Sequence, residues 1–463
     1  MVVMLNPARV VLWIAVFLLL GCTRTLPPAA GSVHLSLPSE HYRLPNGLEV
    51  VLHRDSSFDA AVVDVRYHVG SKDDPEGKSG FAHLHEHLTF RARRRAASPS
   101  ETLASLLEAH DFLVWNAFTT TDETEYFELL PSAQLPVALW IEATRMAHKL
   151  DGLSEDVFTR ERDVVKNEYR QNYETQGYGF VDTFARAALF PPGHPYHRSV
   201  IGDPQDLDRA TLDDARAFAS RFYTPRNATL VIAGNIDVDE TRALVARHFG
   251  GLDPGPEPPA PRTFAFPELR ADRIVHVEAD VERPHLMLVW PIPPRYAKSS
   301  YEAELVAGHA GGIVQEDLER LREMAHSVVW TIDWGRLGST FALDVSLRQG
   351  KKPEDALAAI EAVVPAVTAP VVRRAISVVV PSSEWWLRSS VSKVSSLTSR
   401  ATRLQDFVEH LGWPDAADYD LARYRAAGRP GGWTAGGAFF NAPKVAVMVR
   451  PVPSAPRAGR VVP

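Results

Sequence analysis

Alternating and β-branched runs at residues 60–69, 125–130 and 229–233 predict strands. Apolar residues at helical spacing predict helices over 81–94, 101–110, 135–148 and 155–169. Before the first of these strands, Tyr42-Arg43-Leu44 and Leu48-Glu49-Val50-Val51-Leu52 flank Pro45-Asn46-Gly47, which reads as a hairpin with Asn-Gly as its turn. The mixture implies an α+β layer architecture. From Gly250 to Pro261 the chain is dominated by Gly and Pro, its strongest linker signal. Residues 41–250 and 271–455 are therefore expected as two halves of similar size, joined across 251–270. The second half restarts with a strand at 285–290 and a helix at 301–310, echoing the order of the first.

The amino terminus has a different character. After Arg9 an apolar run extends from Val10 to Leu20, long enough for a secretory signal and short for a membrane span. Leu19-Leu20-Gly21-Cys22 resembles the lipobox of bacterial lipoproteins, which implies a signal peptide over 1–21 and a lipid on Cys22. The alternative is an incidental cysteine behind an ordinary cleavage site. Thr23 after the cysteine implies the outer membrane, facing the periplasm, with membrane contact through the lipid anchor alone. Residues 22–40, rich in Pro, Ala, Gly and Ser, read as a flexible tether.

Composition narrows the chemistry. Of 463 residues 45% are hydrophobic and 23% charged, an ordinary globular balance. The formal charge of -7 offers no basic excess for nucleic acid. Cys22 is the only cysteine, so a metal site must be built from His and carboxylates.

Such a set is at hand in His83-Leu84-His85-Glu86-His87. On a helix His83 and His87 lie one turn apart on one face, so two imidazoles can reach one ion at about 2.0–2.1 Å. Glu86 beside them could take a proton from water activated by that ion. This is the H-x-x-E-H order. A strand presenting His83, His85 and His87 on one face is the rival, but Phe81, Leu84 and Leu88 at i, i+3 and i+7 favour the helix. On a helix His85 points away, as a packing residue. A third ligand can come from far along the chain. Over 157–168, Val157, Phe158, Glu161, Val164, Val165 and Glu168 form one stripe, which places two carboxylates on an apolar face. Glu168 is the candidate ligand, and a buried salt bridge to Arg145 is the alternative. His194 and His197, in a Gly/Pro loop, and the Trp385-Trp386 pair read as structural.

Taken together, Asn46-Gly47-Leu48, Val69-Gly70-Ser71, the segment from Gly80 to His87, Asn116-Ala117-Phe118-Thr119, Glu161 through Glu168, His194-Pro195-Tyr196 and the segment from Tyr223 to Ala228 resemble the insulinase (pitrilysin) family of zinc metallopeptidases. The resemblance implies that His83, His87 and Glu168 bind zinc (Zn2+), that Glu86 is the general base and that Glu161 supports the site. It also implies two related α+β halves, each a mixed sheet with packed helices, closing around a chamber. Asn116, Ala117 and Phe118 would then lie on an edge strand that pairs with extended peptide. Catalytic members carry an Arg and a Tyr seven residues apart in the second half. Here Arg322 stands in the Arg place, Val329 lies seven residues on, and His326 in Ala325-His326-Ser327-Val328 falls where a shortened segment would put the Tyr. The expected function is a zinc-dependent endopeptidase acting on peptides or unfolded polypeptides. The alternatives are a catalytically weak binding or scaffold protein, and the zinc-bearing subunit of a heterodimer whose related partner supplies the Arg and Tyr.

Overall fold

The computed structural model describes residues 35–93, 101–175, 178–260, 264, 266–316, 319–363, 396–427 and 436–462. Cys22 and the Trp385-Trp386 pair lie outside them. Residues 36–463 form one compact unit. Among the described residues no helix is long and apolar enough to cross a membrane.

Among the described residues, two six-stranded sheets organise the molecule. The first contains β1 (Glu40–Arg43), β2 (Glu49–Arg54), β3 (Ala60–Tyr67), β4 (Val114–Thr119), β5 (Thr124–Pro131) and β6 (Ala228–Gly234), in the order β1-β2-β6-β3-β5-β4. The hairpin forms as the sequence predicts, with Glu40 opposite Leu52 and Gly47 in the left-handed region at φ 89°. The second sheet contains β7 (Arg273–Ala279), β8 (His285–Ile292), β9 (Ala325–Asp333), β10 (Ser339–Leu347), β11 (Val445–Pro451) and β12 (Arg460–Val462), in the order β12-β7-β11-β8-β10-β9.

Both sheets are mixed, and in the same way. One parallel pair, β2 with β6 or β7 with β11, is followed by three antiparallel pairs that end on an edge strand, β4 or β9. The echo between the halves is thus a repeated topology.

The helices of the first half begin with α1 (Phe81–Arg91), α2 (Leu103–Glu108), α3 (Leu135–His148), α4 (Glu155–Tyr169) and α5 (Gly179–Leu189). The core against α1 and α3 holds Val63, Val65, Leu84, Leu88, Leu139 and Met146. All eight residues of β3 and all seven of β6 are nevertheless buried, on both faces. That burial fits strands covered on two sides, one face apolar and the other carrying the buried Asp64, Arg66 and Thr229.

The second cover comes from beyond the linker: the helix Ser396–Leu411 lies across β3 and β6. The exchange is reciprocal, because α5 leaves its own half and packs Phe180, Val181 and Ala185 against Val277, Val289 and Val447 of the second sheet.

An ionic network sits under the helix Ser396–Leu411. Arg66 of β3 donates to Glu125 at 2.7 Å, to Asp406 at 2.9 Å and to Glu409 at 3.0 Å. Arg295 reaches Asp406 at 2.7 Å and Arg336 reaches Glu409 at 2.8 Å. Gln405 donates to the Asp64 carboxylate at 2.9 Å.

The segment read as tether is already packed at its end: the Leu37 N–H donates to Asp415 at 2.6 Å, and the Leu37 side chain is buried.

Candidate metal centre

Phe81, Leu84 and Leu88 turn one face of α1 into the core, which leaves the opposite face to meet α4. His83, Glu86 and His87 follow from that rotation. The strand alternative is excluded by the helix itself. His85 lies on another side of α1, stacked on Tyr223 at 3.5 Å and 3.2 Å from Thr89 Oγ1, which is the packing role expected of it.

The start of α1 is held by a residue the sequence did not point to. Gly80, the N-cap, has no side chain to offer and sits at φ 88°. A Cβ there would meet the Ile201 carbonyl oxygen at 2.7 Å. The capping acceptor is Asp74, whose carboxylate takes the N–H of Gly80 at 2.6 Å and of Ala82 at 2.9 Å. Burial pushes Asp74 up to about 7 against the pull of those two donors. Asp74→Ala is expected to cost about 0.5–2 kcal/mol, the range for losing a side-chain cap, read by urea unfolding. An unchanged midpoint would show that solvent caps α1 equally well. An acidic residue ahead of a glycine-started helix is the only sequence signal it left.

His83 Nε2 lies 3.7 Å and His87 Nε2 3.5 Å from the same Glu168 oxygen, Oε2. One ligand atom from each of the three residues falls within 4.8 Å of the others. His87 Nε2 and Glu168 Oε2 are buried without a hydrogen-bond partner, and 3.5 Å is too long for a hydrogen bond between them. In a tetrahedral site with bonds near 2.0–2.1 Å, ligand atoms stand roughly 3.4 Å apart. The orphaned atoms and their spacing therefore fit a shared zinc-sized cation.

The electrostatics agree with the packing. Burial, helped by His87, lowers His83 to about 4 and keeps it a neutral donor. Burial works against a charged His87 too, but Glu168, Glu86 and Glu161 outweigh it and raise its pKa. Burial would raise Glu168, yet the two imidazoles hold it below the usual carboxylate value.

Glu161 sits on α4 ahead of Glu168 and is fixed by its contacts: Arg91 donates to Oε1 at 2.8 Å, and Oε2 lies 4.0 Å from His87 Nδ1. Arg145 is not the partner of Glu161 or Glu168. It lies 2.8 Å from Glu142 and 3.7 Å from Glu128. The apolar stripe also needs a correction, since Val164 is exposed while Phe158, Glu161 and Val165 are buried.

Glu86 stands next to the cluster and accepts from Thr119 Oγ1 at 2.6 Å. Burial raises its pKa, opposed by His87 and by Thr119. Asn116, Ala117 and Phe118 lie on β4, which among the described residues pairs only with β5 and so ends the sheet. Arg322 is exposed on the helix Glu319–Met324, and His326 is exposed near the start of β9. The described contacts bring neither of them to the His83–His87–Glu168 cluster. His194 and His197 serve their loop: His194 Nδ1 accepts from the Tyr196 N–H at 3.1 Å, and His197 Nδ1 is 2.7 Å from the Phe190 carbonyl oxygen.

Residues 49–188 match the family model described as Insulinase (Peptidase family M16), and residues 209–367 match the one described as Peptidase M16 inactive domain. The chain belongs to the insulinase family, peptidase M16. An uncharacterized zinc protease of Mycobacterium bovis is 32% identical over 299 residues, a stretch that spans 63% of this chain and 66% of that relative. Among solved structures, a protease from Helicobacter pylori superposes with a TM-score of 0.72 at 23% identity, covering 89% of this chain and 100% of that one. The periplasmic protease PqqL of Escherichia coli superposes with a TM-score of 0.70 at 16% identity, over 90% of this chain and 48% of that one. Two mixed sheets with packed helices are thus the M16 two-half fold, which in PqqL matches about half of a longer chain.

Proposed function

We propose that this M16 protein is a zinc-dependent endopeptidase that hydrolyses peptides or unfolded polypeptides. The observation that carries this reading is the convergence of His83, His87 and Glu168, with two buried atoms that lack a hydrogen-bond partner. A zinc ion held there supplies a Lewis acid and lowers the pKa of water bound to it to about 7. Glu86 takes the proton from the attacking water. Glu161, braced by Arg91, orients His87 from its far side. The peptide lies extended along the β4 edge at Asn116, Ala117 and Phe118, where main-chain hydrogen bonds hold it in register.

The test is metal content beside turnover. Purified protein is expected to carry one zinc per chain and to cleave an unfolded polypeptide. His83→Ala, His87→Ala and Glu168→Gln should each lower both. Full zinc occupancy in His87→Ala, by elemental analysis, would sink the ligand set.

The exposed positions of Arg322 and His326 favour a second reading of the same site, in which this chain is the zinc-bearing subunit and a related partner supplies the Arg and Tyr. Loss of one donor to a developing oxyanion costs about 10² to 10³ in turnover, so the isolated chain would be a weak peptidase until that partner is added. If it is instead fully active alone, and His326→Ala abolishes turnover with zinc retained, His326 is the missing donor and the partner reading fails.

We place the protein at the bacterial outer membrane, facing the periplasm and held by lipid on Cys22. The support is the coincidence of the sole cysteine with the end of the apolar amino-terminal run. Cys22→Ser should move the protein from the membrane to the soluble fraction. A wild-type protein without lipid, by mass spectrometry, would refute the anchor.

A further inference from the structure

Glu86 is connected to the substrate edge as well as to the metal helix. Thr119, the last residue of β4, donates its hydroxyl to Glu86 Oε2 at 2.6 Å, the length of a charge-assisted O–H···O⁻ bond. The donor itself is held. Thr119 pairs with Thr124 across the β4–β5 ladder. The turn beyond it is closed by Thr120 Oγ1, which accepts from the N–H groups of Asp122 and Glu123, both at 3.1 Å. Asp122 is tied in turn by the Tyr196 hydroxyl at 2.5 Å and by the Arg336 N–H at 3.0 Å. The acceptor is equally constrained, because Glu86 is buried on a helix whose start Asp74 fixes.

We propose that Thr119 is a positioning residue for Glu86: its hydroxyl pins one carboxylate oxygen, so that the other is presented to the water at the His83–His87–Glu168 cluster. The inference rests on the reading of Glu86 as general base. It links the H-x-x-E-H helix to the substrate strand, because Thr119 lies three residues beyond Asn116 on the same strand. One rigid element then sets both the register of an extended peptide and the direction of the base, and misplacing a reacting group by about 1 Å can cost on the order of 10²-fold.

Thr119→Val keeps the shape and removes the donor, while Thr119→Ser keeps the donor. Thr119→Val is expected to lower kcat roughly 10- to 100-fold with little change in KM, while one zinc per chain and the melting temperature are retained. Thr119→Ser is expected to restore turnover. Affinity for a peptide, measured by calorimetry in an inactive Glu86→Gln background, should be the same with Thr or Val at position 119. Peptide affinity that falls there as far as kcat fell would make Thr119 a substrate contact and overturn the proposal. So would a Ser variant as slow as Val, or full turnover in Thr119→Val beside an inactive Glu86→Gln. Full turnover in Glu86→Gln itself would overturn the base reading, and this inference with it.

Discussion

Glu86→Gln is expected to keep one zinc ion per chain and to hydrolyse peptides about 10² to 10⁴ times more slowly than the wild type, the usual contribution of a general base. Gln has the volume of Glu and can still accept the Thr119 hydroxyl, so the fold and the metal cluster have no reason to change. What disappears is a group able to take a proton. Burial already lifts the Glu86 pKa above the ordinary carboxylate value, which brings its basicity closer to neutral pH. The check is kcat with a defined peptide beside zinc by elemental analysis. Zinc lost together with activity would make Glu86 a ligand, and activity kept with full zinc would remove it from the chemistry.

Arg66→Ala should produce the largest loss of stability, about 3–5 kcal/mol, because it breaks a buried ion pair by removing one side. Glu125, Asp406 and Glu409 would remain in place with little solvent to replace the guanidinium. The pH dependence gives this mechanism a signature. In the wild type burial alone would raise Asp406 and Glu409, but Arg295 and Arg66 hold Asp406 low, and His68, Arg66 and Arg336 hold Glu409 low. Depressed carboxylates contribute stability above their unfolded values, about 3.9 and 4.3, and lose it as pH falls through the folded ones. Without Arg66 those pKa values rise, and the folded variant gains protons where the unfolded chain does not. The deficit in urea should therefore be widest at neutral pH and narrow towards pH 5. A deficit that widens on acidification would refute this account.

The metal helix and its partner were legible because their signals are local. His83 and His87 are separated by one helical turn, and Phe81, Leu84 and Leu88 fix which way that turn faces. The helices 135–148 and 155–169 were readable to the residue for the same reason. Features that depend on distant contacts were not. Only an acidic residue ahead of a glycine hints that Asp74 caps a helix starting seven residues later, and nothing near Thr119 points to Glu86. Val164 matches the stripe of α4 by spacing, but α4 buries a narrower face than the stripe suggests. The β-branched runs of β3 and β6 were readable as strands, whereas the helix that covers their second face lies beyond the linker.

The reciprocal crossing of α5 and the helix Ser396–Leu411 makes each half the chaperone of the other. A gene divided within the linker, its two pieces expressed separately, would yield polypeptides that each present an uncovered sheet face and an incomplete set of charges. Produced together, the same pieces have everything needed to assemble without a covalent connection. The repeated topology suits either arrangement, one continuous chain or two cooperating gene products, because the interlock as well as the peptide bond holds the halves as a pair.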